Sequence, residues 1–325
     1  MVEWSDVVDV VIEAPVVTSF TRVGYALRSR LGHWTPLGRY DLTGRTMLVT
    51  GATSGLGRVT AEVLAADGAT VILWGRDAAK THRVRAELIE RVGVDRFDTV
   101  IADMGDLDAV RAGAAAVAER HSRLDVLVHN AGALSATRQL APGGTELTVA
   151  SQVLGPFVLT GLLLPLLRAS APARVLTMSS GGMYAAGLTV DRLEMGDDYR
   201  GVEQYARAKR AQVTLNEMWA RRSGPNGVRF HAVHPGWADT PGVEASLPRF
   251  RRVVGPLLRT PVQGADTLIW LAADDGEPLA TTGRFWLDRR PRSLHKLPTT
   301  RRTDTPDRRA ALWAWCVERS GIDPT

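Results

Sequence analysis

Tyr205 and Lys209 stand four residues apart in a helical pattern, a spacing that places both side chains on one face of a helix. A phenol with a pKa near ~10 is a poor acid or base at neutral pH, but an ammonium group nearby favours the phenolate and lowers that pKa. Ser180, which follows the apolar run at residues 174–178, adds a hydroxyl that can hold a substrate oxygen. Together they predict proton transfer at a carbonyl or alcohol group, although the Tyr–Lys spacing alone often occurs by chance.

A glycine-rich turn at residues 50–57 links the apolar run 47–49 to a helical pattern. Gly51 lets the chain turn sharply, Gly55 lets the backbone approach a pyrophosphate, and Gly57 lets the helix pack close to the strand. Free N–H groups at the helix N-terminus suit an anion. This order predicts a dinucleotide site, although the spacing differs from G-x-G-x-x-G and a plain turn is the alternative. The residues expected to contact the cofactor in this turn are Gly51, Thr53, Ser54, Gly55, Leu56 and Gly57.

The second predicted strand is followed by Arg76 and Asp77, at the point where such sites meet the adenosine ribose. A carboxylate there would bind the 2′-hydroxyl of NAD, whereas a cation accommodates the 2′-phosphate of NADP. A guanidinium pairs with a phosphate through two parallel bonds, and Arg58 lies just beyond the glycine turn. We therefore expect NADP rather than NAD. The competing interpretation is that Arg76 pairs with Asp77 or another surface carboxylate.

Further candidate cofactor contacts follow the third, fourth and sixth predicted strands. The Asp103 carboxylate can accept the adenine amino group, Asn130 can anchor neighbouring backbone, and Thr240 can bond the carboxamide or phosphate. Pro235 and Gly236 turn the chain across the nicotinamide end. With Lys209 on the ribose hydroxyls, the remaining expected cofactor contacts are Arg76, Asp103, Met104, Asn130, Ala131, Gly132, Tyr205, Lys209, Pro235, Gly236 and Thr240.

From residue 45 onward, seven apolar runs alternate with helical patterns, which predicts an α/β fold. We expect one doubly wound domain with a seven-stranded parallel sheet and helices on both faces. Pro165 should end or kink its helix. The expected divisions are an N-terminal helical extension (1–43), the dinucleotide-binding and catalytic domain (44–290) and a C-terminal extension with one helix (291–325). The expected strands cover residues 46–50, 70–74, 99–102, 126–129, 174–178, 229–233 and 284–286.

The N-terminal arm, residues 1–40, contains Phe20, Val23, Leu27 and Leu31 at helical spacing with arginines nearby. One interpretation is an interfacial helix that touches an anionic membrane. The other, favoured by the acidic start of the chain, is a helix packed on the domain or on a partner subunit.

The composition is that of a globular protein, with 325 residues, 45% hydrophobic, 23% charged and a net charge of +5. The single Cys316 excludes an internal disulfide framework and favours a cytoplasmic location. We interpret the excess charge as a solvated surface and expect no nucleic-acid partner, since zinc-finger and RNA-binding motifs are missing from the sequence. Neither a signal peptide nor a run of 18 apolar residues is legible, so we expect no membrane span. His234 is interpreted as structural, and without metal-ligand spacing no metal site is expected.

Taken in order, these residues resemble the short-chain dehydrogenase/reductase family over about residues 44–287. The resemblance implies a Rossmann fold and hydride transfer between a nicotinamide cofactor and a carbonyl or alcohol. It assigns Tyr205 as acid/base, Lys209 as the group that tunes its pKa, and Ser180 as the donor to the substrate oxygen. The long gap between Ser180 and Tyr205, with Asp191-Arg192-Leu193 inside it, is similar to the retinol-dehydrogenase-like branch.

One position departs from that family. Gln152 stands where the family usually places an asparagine that holds a water in the proton relay to the lysine. We therefore count Gln152 as the fourth catalytic candidate, and its longer side chain either shifts the relay or reduces activity. The family also implies a homo-oligomer formed through the Tyr205 helix and its neighbour.

The sequence thus favours an NADP(H)-dependent oxidoreductase acting on a small apolar carbonyl compound or its alcohol. Two alternatives are a non-catalytic NADP(H)-binding sensor and a membrane-surface scaffold built on residues 1–40. The residues expected either to line an apolar substrate pocket or merely to pack the lid are Met183, Tyr184, Leu188, Trp237, Val243 and Leu247.

Overall fold

The computed structural model describes Asp9, Glu13 and residues 16–224, 227–246 and 248–324. These residues form one eight-stranded sheet in the order β3-β2-β1-β4-β5-β6-β7-β8. All neighbouring strands pair in parallel except β7 and β8, which are antiparallel. The strands are β1 Thr46–Thr50, β2 Thr70–Gly75, β3 Phe97–Ile101, β4 Val126–His129, β5 Arg174–Met178, β6 Arg229–Val233, β7 Arg284–Leu287 and β8 Arg290–Arg292.

Helices cover both faces of the sheet, as the alternating apolar runs predict. Short 3₁₀ turns lie at Gly181–Ala185, Val190–Arg192 and Gly255–Leu257. The helices are α1 Val16–Phe20, α2 Arg22–Leu31, α3 Gly55–Ala66, α4 Ala78–Val92, α5 Leu107–Arg120, α6 Leu147–Val149, α7 Gly155–Ala169, α8 Gly201–Ser223, α9 Pro241–Ser246, α10 Pro248–Val254, α11 Pro261–Ala273, α12 Glu277–Ala280, α13 Pro298–Thr303 and α14 Pro306–Ser320.

Two large apolar cores lie on opposite faces of the sheet. One is built with α5, α7, α8 and α14 and contains Phe157, Trp219 and Trp313. The other is built with α3, α4 and α11 and contains Leu64 and Leu268. Central strands are apolar on both sides because both faces are covered, which confirms the predicted doubly wound α/β fold.

The strand order reverses at β1, which lies between β2 and β4. In doubly wound sheets a ligand binds outside the carboxyl ends of the strands at this reversal. Thr50 ends β1 and His129 ends β4, so the glycine turn and Asn130 emerge side by side. The fold therefore brings the predicted cofactor contacts to one edge.

The eighth strand was not predicted from the sequence. Arg290-Pro291-Arg292 has no apolar alternation, and its proline is tolerated because β8 lies at the sheet edge. A two-residue turn joins β7 to β8, with positive φ angles of 55° at Asp288 and 53° at Arg289. Two left-handed residues are what a tight hairpin of this hand requires.

The helical stretch Leu147–Ala169 combines α6, a π-helical segment at Ala150–Leu154, and α7. Pro165 lies inside α7 and does not end it. Within the described part of the chain, this stretch is long and apolar enough to cross a membrane by length and composition. However, 78% of its apolar window is buried inside the protein, which is typical of a core helix.

The two ends of the chain pack onto the domain. In the described part of the arm, Phe20 and Arg28 are buried, whereas residues 1–8, 10–12, 14 and 15 lie outside the described residues. At the other end, Thr305 caps α14 and Gly321 follows it with a φ of 67°, as the sequence predicts. The Trp313 ring of α14 lies 5.0 Å from Phe157 and 4.8 Å from Trp219, so α14 covers part of α7 and α8.

Candidate active site

The turn between β1 and α3 has the backbone geometry that a phosphate cradle needs. Gly51 and Gly55 have φ angles of 66° and 52°, which side chains rarely tolerate. Ser54, the N-cap residue of α3, makes no side-chain hydrogen bond to the first N–H groups of the helix. Those groups are therefore available to an anion, and a dinucleotide pyrophosphate fits this turn. A side chain at Gly57 would collide with the Gly51 carbonyl.

The end of β4 is tied to the end of β1 beside this turn. The Asn130 amide nitrogen Nδ2 donates to the Thr50 carbonyl at 3.0 Å. The Thr50 hydroxyl accepts from the backbone N–H groups of Asn130 and Ala131, at 2.9 and 3.0 Å. A Cβ built on Gly132 would stand 3.0 Å from the Gln152 side-chain oxygen. These contacts hold the Asn130-Ala131-Gly132 backbone against the cradle.

The region after β2 presents one largely exposed guanidinium to a ligand. Asp77 caps α4, with its carboxylate accepting from the Lys80 N–H at 2.8 Å. The Arg76 side chain is 76% exposed and stands 4.0 Å from the Asp103 carboxylate. Arg58 is paired with Glu87 at 2.8 Å. The site thus offers Arg76, rather than the capping carboxylate Asp77, to a ribose substituent.

The predicted cofactor contacts Asp103 and Met104 differ in their surroundings. The Asp103 carboxylate is partly exposed and accepts from the Gly105 N–H at 2.8 Å, which leaves its other oxygen near Arg76. The Met104 side chain is buried in the core that contains α7, and its carbonyl lies against Gly155. Met104 therefore contributes packing through its side chain.

Ser180 and Tyr205 come together at the carboxyl end of β5. Ser180 caps the 3₁₀ turn Gly181–Ala185, and its Oγ accepts from the Gly182 N–H at 3.2 Å. A Cβ built on Gly182 would stand 3.7 Å from the Ser180 Oγ and 3.8 Å from the Tyr205 ring. Burial raises the pKa of Tyr205 to about 12, against an opposing hydrogen bond from Ser180 that lowers it.

Lys209 lies beneath Tyr205 on α8. Its Nζ donates to the Met178 carbonyl at 2.9 Å and stands 5.3 Å from the centroid of the Tyr205 ring. Burial lowers the pKa of Lys209 to about 7. Burial penalises the charged forms of both groups, so the pKa of Tyr205 lies above and that of Lys209 below its ordinary value, and the tuning of Tyr205 by Lys209 stays a prediction.

Gln152 is fully buried within the π-helical segment, a feature often found at functional sites. Its Nε2 donates to the Ala133 carbonyl at 2.7 Å, so it holds the segment that follows β4 and Asn130-Ala131-Gly132. Its Oε1 has no hydrogen-bond partner among the described residues. Among the described residues, neither polar atom of the Gln152 side chain is hydrogen-bonded to Lys209, whose Nζ donates to the Met178 carbonyl instead.

A polar cavity of about 20 Å³ lies behind Gln152, between α7, α8 and the sheet. Four of its lining residues carry a buried polar atom without a partner among the described residues: His129, Gln152, Gln212 and Asn216. A volume above ~10–15 Å³ with several polar groups is enough to hold one buried water. Burial lowers the pKa of His129 to about 3, so that imidazole is neutral.

The loop after β6 closes over the cradle. Gly236 has a φ of 72°, and a side chain there would collide with the Arg259 guanidinium. The Pro235 carbonyl accepts from Arg259 at 3.4 Å. Thr240 lies over the turn, because a Cβ built on Gly55 would stand 3.5 Å from the Thr240 Cβ. The predicted contacts after β6 thus face the predicted contacts after β1.

The candidate substrate-pocket residues divide into two groups. Met183 and Tyr184 are buried in a third apolar cluster with Phe20, and the Tyr184 hydroxyl donates to the Ser293 carbonyl at 2.9 Å. Leu188 is also buried, whereas Leu247 lies outside the described residues. Trp237 is partly buried, with its ring 5.1 Å from Phe250. Packing therefore accounts for Met183, Tyr184 and Leu188, whereas Trp237 and the half-buried Val243 remain candidate walls of the pocket.

Sequence reasoning missed Arg259 and did not foresee that Phe20 lies against this loop. Phe20 packs on His234, and Arg259 contacts the carbonyls of residues 19–21 as well as Pro235. Both are distant in sequence from the motifs, and the apolar spacing of the arm does not indicate what Phe20 packs against. Among the described residues, no three or more His, Cys, Asp or Glu side chains lie together as metal ligands would.

The chain is similar to known proteins. The family model described as short chain dehydrogenase matches residues 45–249. Dehydrogenase/reductase SDR family member 12 of Homo sapiens is 38% identical over 267 residues, which cover 82% of this chain and 83% of that protein. Retinol dehydrogenase 14 of Homo sapiens is 33% identical over 264 residues, which cover 75% of this chain and 78% of that protein.

Solved structures give the same picture. An uncharacterised protein from Mycobacterium paratuberculosis superposes with a TM-score of 0.71 at 27% identity, covering 90% of this chain and 99% of that chain. A structure described as a short chain dehydrogenase from Shigella flexneri complexed with NADP gives a TM-score of 0.63 at 27% identity, covering 78% of this chain and 100% of that chain.

Proposed function

Since the chain belongs to the short-chain dehydrogenase/reductase family, in its retinol-dehydrogenase-like branch, we propose that it interconverts an apolar carbonyl compound and its alcohol with NADP(H). The observation that carries the proposal is that Ser180 and Tyr205 both lie beside Gly182, with the Lys209 amine close to the Tyr205 ring. When bound, the nicotinamide supplies a hydride to the carbonyl carbon or accepts one from the alcohol carbon.

Residues of the chain donate or accept the proton that accompanies this hydride. For reduction, the Ser180 hydroxyl donates a hydrogen bond to the carbonyl oxygen and fixes its position. The Tyr205 hydroxyl then gives its proton to that oxygen, so the O–H bond of the alcohol forms as the phenolic O–H bond breaks. For oxidation, the phenolate of Tyr205 takes the proton back.

Lys209 stabilises the phenolate that this transfer leaves behind. Its buried amine, whose pKa is lowered to about 7, exchanges its proton near neutral pH. A phenolate 5.3 Å away, measured to the ring centroid, favours the charged ammonium form. Gln152 contributes by holding the Ala133 backbone under the reaction centre. We thus propose Ser180, Tyr205, Lys209 and Gln152 as the catalytic set.

The preference for NADP over NAD rests on Arg76. Its guanidinium is exposed and has only a distant carboxylate neighbour, whereas the Asp77 carboxylate caps α4. An exposed cation at this position suits a 2′-phosphate better than a hydroxyl. The relative from Shigella flexneri complexed with NADP is consistent with this preference.

Turnover against a panel of apolar aldehydes and ketones tests the proposal. We expect NADPH oxidation with at least one aromatic or long-chain member, and slower oxidation of NADH. Tight NADPH binding without turnover on the whole panel would instead favour the non-catalytic sensor.

Three further proposals concern the location of the protein and its partners. The single cysteine, Cys316, is buried, and we propose a cytoplasmic location and a homo-oligomer. Such an oligomer would use a surface beyond the part of α7 and α8 that α14 covers, and light scattering after size exclusion tests it. In α2, the exposed Val23, Leu27 and Leu31 flank an exposed Arg30. We propose peripheral contact with an anionic membrane through them, which vesicle flotation with and without anionic lipid tests.

A further inference from the structure

The N-terminal arm reaches the reaction centre through Phe20, the last residue of α1. The Phe20 side chain is 4% exposed, and its ring stands perpendicular to the His234 imidazole with the ring centroids 4.3 Å apart. The Phe20 carbonyl accepts from the Trp237 N–H at 2.7 Å. One arm residue therefore contacts both His234, which directly follows β6, and Trp237, a candidate wall of the substrate pocket.

His234 passes this contact on to the turn that carries Ser180. Its Nδ1 accepts from the Gly181 N–H at 3.2 Å, and Gly181 directly follows Ser180. A Cβ built on Gly181 would stand 2.9 Å from both the His234 Nε2 and the Phe20 ring. Burial, with Arg259 and Lys296 nearby, holds the pKa of His234 well below its ordinary value. The imidazole is therefore neutral and its Nδ1 lone pair stays available to Gly181.

Arg259 fixes the backbone of Phe20 from the other side. Its Nε donates to the Phe20 carbonyl at 3.1 Å, and its Nη2 donates to the Ser19 carbonyl at 3.0 Å. The same guanidinium is paired with Asp288, with Nη1 2.6 Å from the carboxylate, and both side chains are almost completely buried. Removing Asp288 would leave the buried Arg259 guanidinium without its carboxylate partner.

Asp288 also holds the arm itself. Its carboxylate accepts from Arg28 of α2 at 2.8 Å, and Arg28 is paired with Asp9 at 2.6 Å. Asp288 and Arg289 have left-handed backbone angles, which cost energy in residues other than glycine. Two buried guanidinium partners offset that strain. The arm, the β7–β8 turn and the loop after β6 thus hold one another in place.

We propose that Phe20 is a positioning residue, through which the N-terminal arm sets the Ser180 hydroxyl by way of His234 and Gly181 and sets the substrate loop by way of Trp237. This inference rests on the proposed function for its kinetic consequence. In this proposal Phe20 contacts neither the substrate nor the cofactor. The arm thereby belongs to the catalytic architecture and not only to the outer surface.

Phe20→Leu tests the inference with little loss of apolar volume. We expect kcat/KM to fall about tenfold or more, because small displacements of a catalytic hydroxyl are costly, while the Kd for NADPH changes less than twofold. Val23→Ala, an exposed change in the same arm, should leave both values unchanged. Leu124→Ala destabilises the core at the opposite, amino edge of the sheet and should lower Tm without lowering kcat/KM.

A matched pair at His234 checks the same pathway. His234→Asn keeps an acceptor for the Gly181 N–H and should retain more of kcat/KM than His234→Leu, which has none. If His234→Asn and His234→Leu lose activity equally, the acceptor at Nδ1 does not position Ser180.

Hydrogen exchange separates this inference from the proposed function, since it needs no turnover. We expect the Gly181 and Trp237 amides to exchange faster in Phe20→Leu than in wild type or Val23→Ala. If the wild-type protein shows no turnover, the proposed function is wrong. The exchange rates of the Gly181 and Trp237 amides would still show whether Phe20 positions these residues. Unchanged exchange and unchanged kcat/KM in Phe20→Leu would overturn the inference.

Discussion

The Ser180 hydroxyl oxygen and the Tyr205 ring both lie beside Gly182, at 3.7 and 3.8 Å from the point where a Cβ would stand, and Ser180 is hydrogen-bonded to Tyr205. A hydrogen-bond donor and a proton donor thus lie side by side, as carbonyl reduction requires.

Ser180→Ala should lower kcat/KM by about 10²-fold, because it removes a donor aimed at the developing charge on the substrate oxygen. Ser179→Ala is the matched control, since the neighbouring Ser179 hydroxyl is buried and has no partner among the described residues. Steady-state kinetics with NADPH measures both. Equal losses in the two variants would remove Ser180 from the catalytic set.

Replacing Lys209 by Met should flatten the pH dependence of stability. The folded pKa of about 7 lies below the ordinary 10.5, so the unfolded chain binds more protons between these values. The wild-type free energy of unfolding should therefore rise with pH from 7 towards 10, by at most about 1.4 kcal/mol per pH unit from this group. Above pH 10 the raised pKa of Tyr205 acts in the opposite direction.

Urea unfolding at pH 7 and pH 9 measures this difference. Wild type should gain stability over the interval and Lys209→Met should gain less. An identical gain in both proteins would show that Lys209 is not buried as described.

Arg76→Ala should weaken NADPH binding by about tenfold or more while NADH binding changes little, because a charge-assisted bond to the 2′-phosphate is lost. Arg168→Ala, at the exposed end of α7, controls for the loss of one positive charge. Fluorescence titration with both coenzymes measures the two affinities. A parallel loss for NADH and NADPH would contradict the assignment of Arg76 to the phosphate.

Gln152→Leu should lower kcat and cost about 0.5–1.5 kcal/mol of stability, because it leaves the Ala133 carbonyl without its donor. Gln212→Leu alters the same polar cavity without touching Ala133, and we expect it to keep kcat within about twofold. If Gln212→Leu reduces kcat as strongly as Gln152→Leu, the cavity rather than the Ala133 contact supports turnover.

Much of this site could be predicted because its signals are local. The glycine turn, the residues at the strand ends and the helical spacing of Tyr205 and Lys209 each depend on a few neighbouring residues. The eighth strand carries no apolar pattern at Arg290–Arg292, so nothing local indicated it. The burial that raises the pKa of Tyr205 was not foreseen, because burial depends on the whole fold.

Contacts between residues distant in sequence could likewise not be predicted from the sequence. Phe20 meets His234 only after the arm folds back over the sheet, and the apolar spacing of the arm is equally compatible with a membrane-facing helix. The partner of Gln152 is a backbone carbonyl, which no side-chain pattern can reveal.

Tyr205→Phe tests the central claim most directly, because it removes the transferred proton and leaves the ring in place. We expect NADPH-dependent turnover to fall by about 10²–10⁴-fold with NADPH binding retained. Tyr199→Phe, which removes a nearby hydroxyl bonded to Glu146, should keep turnover close to wild type. Undiminished turnover in Tyr205→Phe would contradict proton transfer by this phenol.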